Sequence, residues 1–264
     1  MWTYVKWEIR RLRRQPRFWA SLLGVAVIGG LFAYGYREMH GKTLAVSSVG
    51  AGIGNGFLVP VLALSLSSSI LLPFLVALFA GESLSGERQS GTWATLLAQG
   101  VNPWSLFWAK SLVAWAYAIG VTLLLTASSL FGGWVIFGLH ASALPSGVMA
   151  SAPAFWRLLV ISAAYAASGQ MVVATFSLVV GAFCKTSLSA LMISMGTLIV
   201  LAMLGDLPVW GAVRRLFFPS YFSRITDALT FPTNWTPLNH GLLVYAIYCL
   251  GFLALILWFQ PFRD

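Results

Sequence analysis

Apolar residues along this chain gather into six blocks of about twenty or more, separated by more polar stretches of varied length: residues 18–36, 57–80, 111–137, 158–183, 186–205 and 241–259. Each block is long enough to cross the roughly 30 Å hydrocarbon layer as an α-helix, with some tilt for the longer ones. Hydrocarbon offers no hydrogen bonds to the backbone, so a lone apolar block closes its own N–H and C=O groups as a helix. The pattern predicts an all-α polytopic membrane protein, one transmembrane domain over residues 1–264.

Ahead of the first block the spacing changes. Trp2, Val5, Ile9 and Leu12 recur at helical intervals while Lys6, Arg10, Arg13 and Arg17 share another side, which predicts an interfacial amphipathic helix over residues 1–17. Pro16 ends or bends it before the chain enters the membrane. The first block reads as an anchor and not as a cleavable signal, because seventeen residues precede it and its far end, YGYREMHGK, has no small-x-small site. Between blocks five and six, residues 206–240 exceed a simple turn, and Trp210, Val213 and Phe217 predict short helices at or dipping into the outer leaflet.

Charge sets the orientation. Lys6, Arg10, Arg11, Arg13, Arg14 and Arg17 crowd before the first block, which places the N-terminus in the cytoplasm, and six crossings return the C-terminus there. Arg88, Lys110, Lys185 and Arg263 then join the inner set, ten bases against six outside. The expected location is the plasma membrane. At 59% hydrophobic residues and a mean hydropathy of +0.83, no block is left for a soluble domain. The formal net charge of +9 lies beside apolar blocks, so its partner is the anionic surface of the bilayer and not nucleic acid. Cys184 and Cys249 fall at different depths and have no metal-ligand spacing, which argues against a disulfide and against zinc.

Three motifs resemble catalytic or nucleotide-binding ones and fail on inspection. GYREMHGKT has Tyr36 where a phosphate-binding loop needs glycine, and it lies outside. GAGIGNG lacks the third glycine of a dinucleotide fingerprint and follows no strand; its glycines suit close helix packing. Ser168 and His240 faintly suggest an intramembrane serine protease, yet the serine lies mid-block and the histidine at a block end, about 15 Å apart in depth. No enzyme activity is expected of the chain itself, nor a cofactor or metal.

None of the blocks as drawn contains Asp, Glu, Lys, Arg or His, groups that ion-driven carriers ordinarily need. Energy therefore comes from elsewhere, or the protein is a passive scaffold. Uncharged polar residues do form stripes: Ser65, Ser68 and Ser69 in the second block, and Ser187, Ser194 and Thr197 in the fifth. They read equally as helix-packing residues or as a substrate path. Pro60 and Pro73 predict kinks in the second block.

The inner loop, residues 81–110, carries most of the remaining signal: GESLSGERQSGTWATLLAQGVNPWSLFWAK. Gly81, Gly86 and Gly91 are expected to break the second helix, and Glu82, Glu87 and Arg88 to face a partner. Trp93, Leu96 and Leu97 then predict a short amphipathic helix ending near Gly100. Asn102 as N-cap and Pro103 as first helical residue restart the chain into the third block. Exposed Trp and Leu at the membrane surface suit docking better than a solvated loop.

These residues resemble those of ABC exporter permeases of the second type. GESLSGERQSGTWATLLAQGVNPWSLFWAK is similar to their acid-rich, Glu-x-Gly-Thr-Leu-like loop, followed by their Leu-Leu and the span-three lysine, here Lys110. VKWEIRRLRRQPRFW resembles their interfacial elbow helix and FQPFRD their C-terminal tail. Trp93 stands where leucine is common, and Pro103-Trp104 where the family is more basic. The resemblance implies six transmembrane helices, an elbow helix, and short exterior re-entrant helices between spans five and six that gate release. It implies a homodimer, or a pair with a paralogue, that exports a substrate from the cytoplasm or inner leaflet. A separate ATP-binding cassette ATPase subunit would hold ATP and Mg. Residues 91–99 would then be the coupling helix, with Glu82, Glu87, Arg88, Gly91, Thr92, Trp93, Leu96 and Leu97 contacting the ATPase or fixing the helix against the elbow. A non-transporting scaffold or immunity protein that recruits another cytoplasmic partner is the alternative.

Overall fold

The computed structural model describes residues 2–41, 55–92, 95, 99–100, 102–140, 142–143, 149–206, 217–229 and 235–259. In order they form α1 (Trp2–Arg13), α2 (Pro16–Gly41), α3 (Leu58–Ser67), α4 (Leu71–Gln89) and α5 (Pro103–Phe137). The two-residue strands β1 (Ser142–Ala143) and β2 (Met149–Ala150) follow. The chain continues with α6 (Ala152–Phe183), α7 (Ser187–Asp206), a 3₁₀ helix (Phe218–Leu229) and α8 (Trp235–Phe259). Strands β1 and β2 pair antiparallel, Ser142 opposite Ala150 and Ala143 opposite Met149. The protein is an all-α polytopic membrane protein. Five helices among the described residues are long and apolar enough to cross a bilayer, and six if the bent pair α3–α4 is one span.

That pair bends beside Pro73, one of the two positions where a kink is expected in the second span. The axes of α3 and α4 meet at 56°, broken at Ser68–Ile70. Ile70 leaves helical geometry with φ −136° and ψ −54°, and Pro73 lies in the first turn beyond it. A proline early in a helix is tolerated because its missing N–H has no acceptor there anyway, so Pro73 suits a restart here rather than a mid-helix kink.

The helices also run further than the apolar blocks. Helix α4 continues through Gly81 and Gly86 to Gln89, so neither glycine ends it; α5 begins at Pro103 and includes Lys110. The reason is packing. A Cβ at Gly181 of α6 would meet the carbonyl oxygen of Gly81 at 2.7 Å, so two glycines let α4 and α6 touch backbone to backbone. Beside Gly86 lies Ser187 of α7, at contact distance. Helix α4 ends instead at Gly91, whose φ of 72° is reached without strain only by glycine. Asn102 behaves as expected, its side chain accepting the Trp104 N–H at 2.9 Å ahead of Pro103.

Helix α6 is the axis of the bundle. It packs against α3, α4, α5, α7, α8 and the 3₁₀ helix, while α2 lies against α5 at the outside. Phe57 stacks on Phe155 at 5.3 Å, and Phe79 on Tyr117 at 4.0 Å. The 3₁₀ helix reaches the middle of the bundle: Phe222 meets Gly169, halfway along α6, and Phe218 meets Tyr248 and Phe252 of α8. Trp210 and Val213, expected on short outer helices, lie outside the described residues.

Candidate functional site

At the end of the bundle where α4 gives way to α5, α1 lies across these two helices, and charge sets its rotation. The sequence pattern expected Trp2, Val5, Ile9 and Leu12 to share the inward face. Val5 and Glu8 are the buried pair instead, with Tyr4 and Leu12 packed near Ala109 and Val113, while Trp2 and Ile9 are exposed. An acid turned inward among apolar residues is costly unless it is paired.

Its pair is Lys110. The Lys110 ammonium, fully buried, donates to Glu8 Oε1 at 3.0 Å, to Glu87 Oε1 at 2.9 Å and to the Ser83 carbonyl oxygen at 2.9 Å. Arg11, one turn beyond Glu8 on α1, donates to the same Glu87 oxygen, and its guanidinium lies 5.7 Å from the Trp7 ring centre. Two carboxylates and two cations sum to zero, which is how four charges are tolerated between helices. Three elements are pinned at one point: α1 through Glu8 and Arg11, α4 through Glu87, and α5 through Lys110. Beside them Arg17 of α2 donates to Glu82 of α4 at 2.7 Å in an exposed pair, and a cleft of about 180 Å³ opens between Arg11, Gln15, Glu82 and Ser83.

Glu87 thus holds α4 against α1 and α5, the second of the two roles expected of it, the first being contact with the ATPase. Its side chain is wholly internal, Glu82 is half-exposed, and Arg88 is in the last turn of the same helix. Glu8 and Arg11 went unrecognised in the sequence, where Glu8 is the single acid in a basic segment and Arg11 one base among six. That lone acid, with a lysine opening an apolar block, was the available signal. Further along, Gly91 and Thr92 are exposed at the foot of α4, and Gly100, at φ 75°, closes the segment. Thr95 and Gln99 keep helical spacing, Gln99 N–H donating to the Thr95 carbonyl oxygen at 3.2 Å. Trp93, Leu96 and Leu97 lie outside the described residues.

The serine stripes do not stay together. Ser65 binds the Leu62 carbonyl oxygen in α3, Ser68 is buried at the helix break, and Ser69 is exposed. In α7, Ser187 N–H donates to Gln89 Oε1 at 3.2 Å, tying α7 to the foot of α4; Ser194 is buried and Thr197 half-buried. Ser168 donates to the Tyr165 carbonyl oxygen at 2.7 Å, whereas His240 Nδ1 lies 3.0 Å from the Tyr221 hydroxyl. The two have separate partners, so no serine–histidine pair forms.

A helix lying across the foot of a bundle, locked by buried charge to the helix pair that carries an inner loop, is a membrane domain built around that loop. A family model described as ABC-2 family transporter protein matches residues 4–197. The chain belongs to the ABC-2 transporter family. No curated protein matches it. The matched region takes in α1, the broken second span, the inner loop, α5, α6 and half of α7, hence all four charged residues of the cluster. As an ABC-2 protein this chain is a multi-pass membrane permease of an ABC transporter, and its family implies association with an ATP-binding cassette component.

Proposed function

We propose that this ABC-2 permease is the membrane half of an ATP-driven exporter, with both termini cytoplasmic in the plasma membrane. A separate ATPase subunit holds ATP and Mg and docks on residues 91–99 through Thr92, Trp93, Leu96 and Leu97. The observation that carries the reading is the buried cluster of Glu8, Arg11, Glu87 and Lys110. Two turns below Glu82 the helix ends at the docking segment, so a push on that segment moves α4, and the cluster obliges α1 and α5 to move with it. Glu82, Glu87 and Arg88 act from the α4 side as the coupling group, Glu87 through Lys110 and not by touching the ATPase.

The substrate crosses between two copies, or between this chain and a paralogue, along a seam that includes the second and fifth spans. Leu66, Ile70 and Phe74 on α3–α4 and Leu188, Met192 and Met203 on α7 are exposed and apolar, which supports pairing along these helices. Ser65, Ser69 and Thr197 are the polar residues of the proposed path nearest this surface. The 3₁₀ helix Phe218–Leu229 gates release at the outer side. Family membership favours transport over the scaffold or immunity reading.

The deciding experiment is co-purification of the tagged permease from its native membrane followed by ATPase assay in nanodiscs. A cassette ATPase should copurify, and Lys110→Met should leave it bound while reducing substrate-stimulated hydrolysis. A permease that exports its substrate as a single copy, or without any ATPase, would overturn the proposal.

A further inference from the structure

Gln170 is a second buried polar group, far from the charged cluster and unused by it. Its side chain is fully buried in α6, and neither its amide nitrogen nor its amide oxygen has a hydrogen-bond partner among the described residues. Full burial also places it out of reach of lipid and of a second copy. An amide left without partners in an apolar interior is disfavoured by several times the ordinary worth of a hydrogen bond.

The register of α6 against the second span shows what Gln170 faces. Phe57 stacks on Phe155 near the outer end and Gly81 touches Gly181 further in, so the second span and α6 run parallel, offset by about a hundred residues along their length. Gln170 precedes Gly181 by eleven residues, close to three full turns, and so lies on the same face, about 16 Å further out. Eleven residues before Gly81 is Ile70, the break itself. Gln170 therefore points at the gap between α3 and α4.

That gap holds further polar groups of the same kind. The hydroxyls of Ser67 and Ser68 are buried there without partners. Helix α4 starts at Leu71 with no side chain capping it, so its first N–H groups have no intrahelical acceptor; in the last turn of α3 the Leu64 carbonyl accepts the Ser68 N–H at 2.9 Å, and the carbonyls after it have no intrahelical donor. Broken backbone at membrane depth persists where it lines a polar site. Donors and acceptors are both present, and none is charged. Water has this chemistry, and a buried water ordinarily makes about three bonds to such groups.

We propose that Gln170, Ser67, Ser68 and the facing ends of α3 and α4 form an ordered-water site in the middle of the membrane. The water bridges the two half-helices to α6 and keeps the second span broken.

Hydroxyl-radical footprinting of the wild-type permease in nanodiscs tests this directly, because radiolysis of a bound water oxidises the side chains beside it. Leu64 and Leu72 flank the break and are as buried as Leu178 and Ile256, which lie away from it. The break pair should be oxidised at least about fivefold faster than the reference pair if water resides there. Equal rates would overturn the site. Gln170→Leu reads the same question by sign: with bridging water its melting temperature falls by about 3–6 °C. In a dry gap the same change relieves an orphan amide and the melting temperature rises or holds, which also overturns the site. Neither readout depends on an ATPase or on transport.

Discussion

The Lys110 ammonium lies 2.9 Å from Glu87 Oε1 with both side chains wholly buried, and this one contact ties the helix entering the inner loop to the helix leaving it. Glu8, 3.0 Å from the same ammonium, adds α1. Such a pair contributes little against an apolar equivalent, but breaking it leaves a charge stranded.

Lys110→Met is expected to destabilise the permease by about 3–5 kcal/mol, since Glu8 and Glu87 then share Arg11 alone. Arg11→Met removes a half-exposed cation and should cost about 1 kcal/mol. Thermal melting in detergent by intrinsic fluorescence ranks the two. Equal losses would show that Lys110 is not the centre of the cluster.

Leu96→Asp separates docking from folding. Residue 96 belongs to the proposed docking segment, so an unpaired charge in the ATPase groove should abolish subunit association, at several kcal/mol. The melting temperature of the isolated permease should stay unchanged. Pull-down with the ATPase beside a melting curve checks both, and retained association would remove residues 91–99 from the docking role.

The contact of Gly81 with Gly181 makes a steric expectation. Gly181→Ala places a Cβ 2.7 Å from a backbone oxygen, so α4 and α6 must separate, at a cost of about 1–3 kcal/mol. Gly120→Ala meets nothing within 4 Å and should be neutral or slightly stabilising. Comparing the abundance and melting of the two variants tests the crossing.

Orientation is checked by single cysteines. Positions 90 and 92 should react with an impermeant maleimide from the cytoplasmic side only, and position 224, in the exposed part of the 3₁₀ helix, from the outer side only. The reverse pattern would displace the docking proposal along with the topology.

Much of this architecture was legible in the residues because membrane burial imposes a coarse rule. Blocks of about twenty apolar residues become membrane helices whatever their neighbours do, so the all-α polytopic class, a helix ahead of the first apolar block and the Asn102-Pro103 restart follow from spacing and backbone chemistry alone. What a charged or glycine residue does depends on what stands opposite. Gly81 and Gly86 have the composition of helix breakers, yet they sit inside α4 because α6 and α7 press against them. Glu87 reads as a surface acid until Lys110, Glu8 and Arg11 arrive from two other helices and close over it. The serine stripe of the second block dissolves because a 56° bend places Ser68 and Ser69 in different surroundings. Hydropathy is a sum over one segment and is decided by that segment. Pairing of buried charge, close approach at glycine and the place of a helix break are relations between segments distant in the chain, and only the packed bundle decides them.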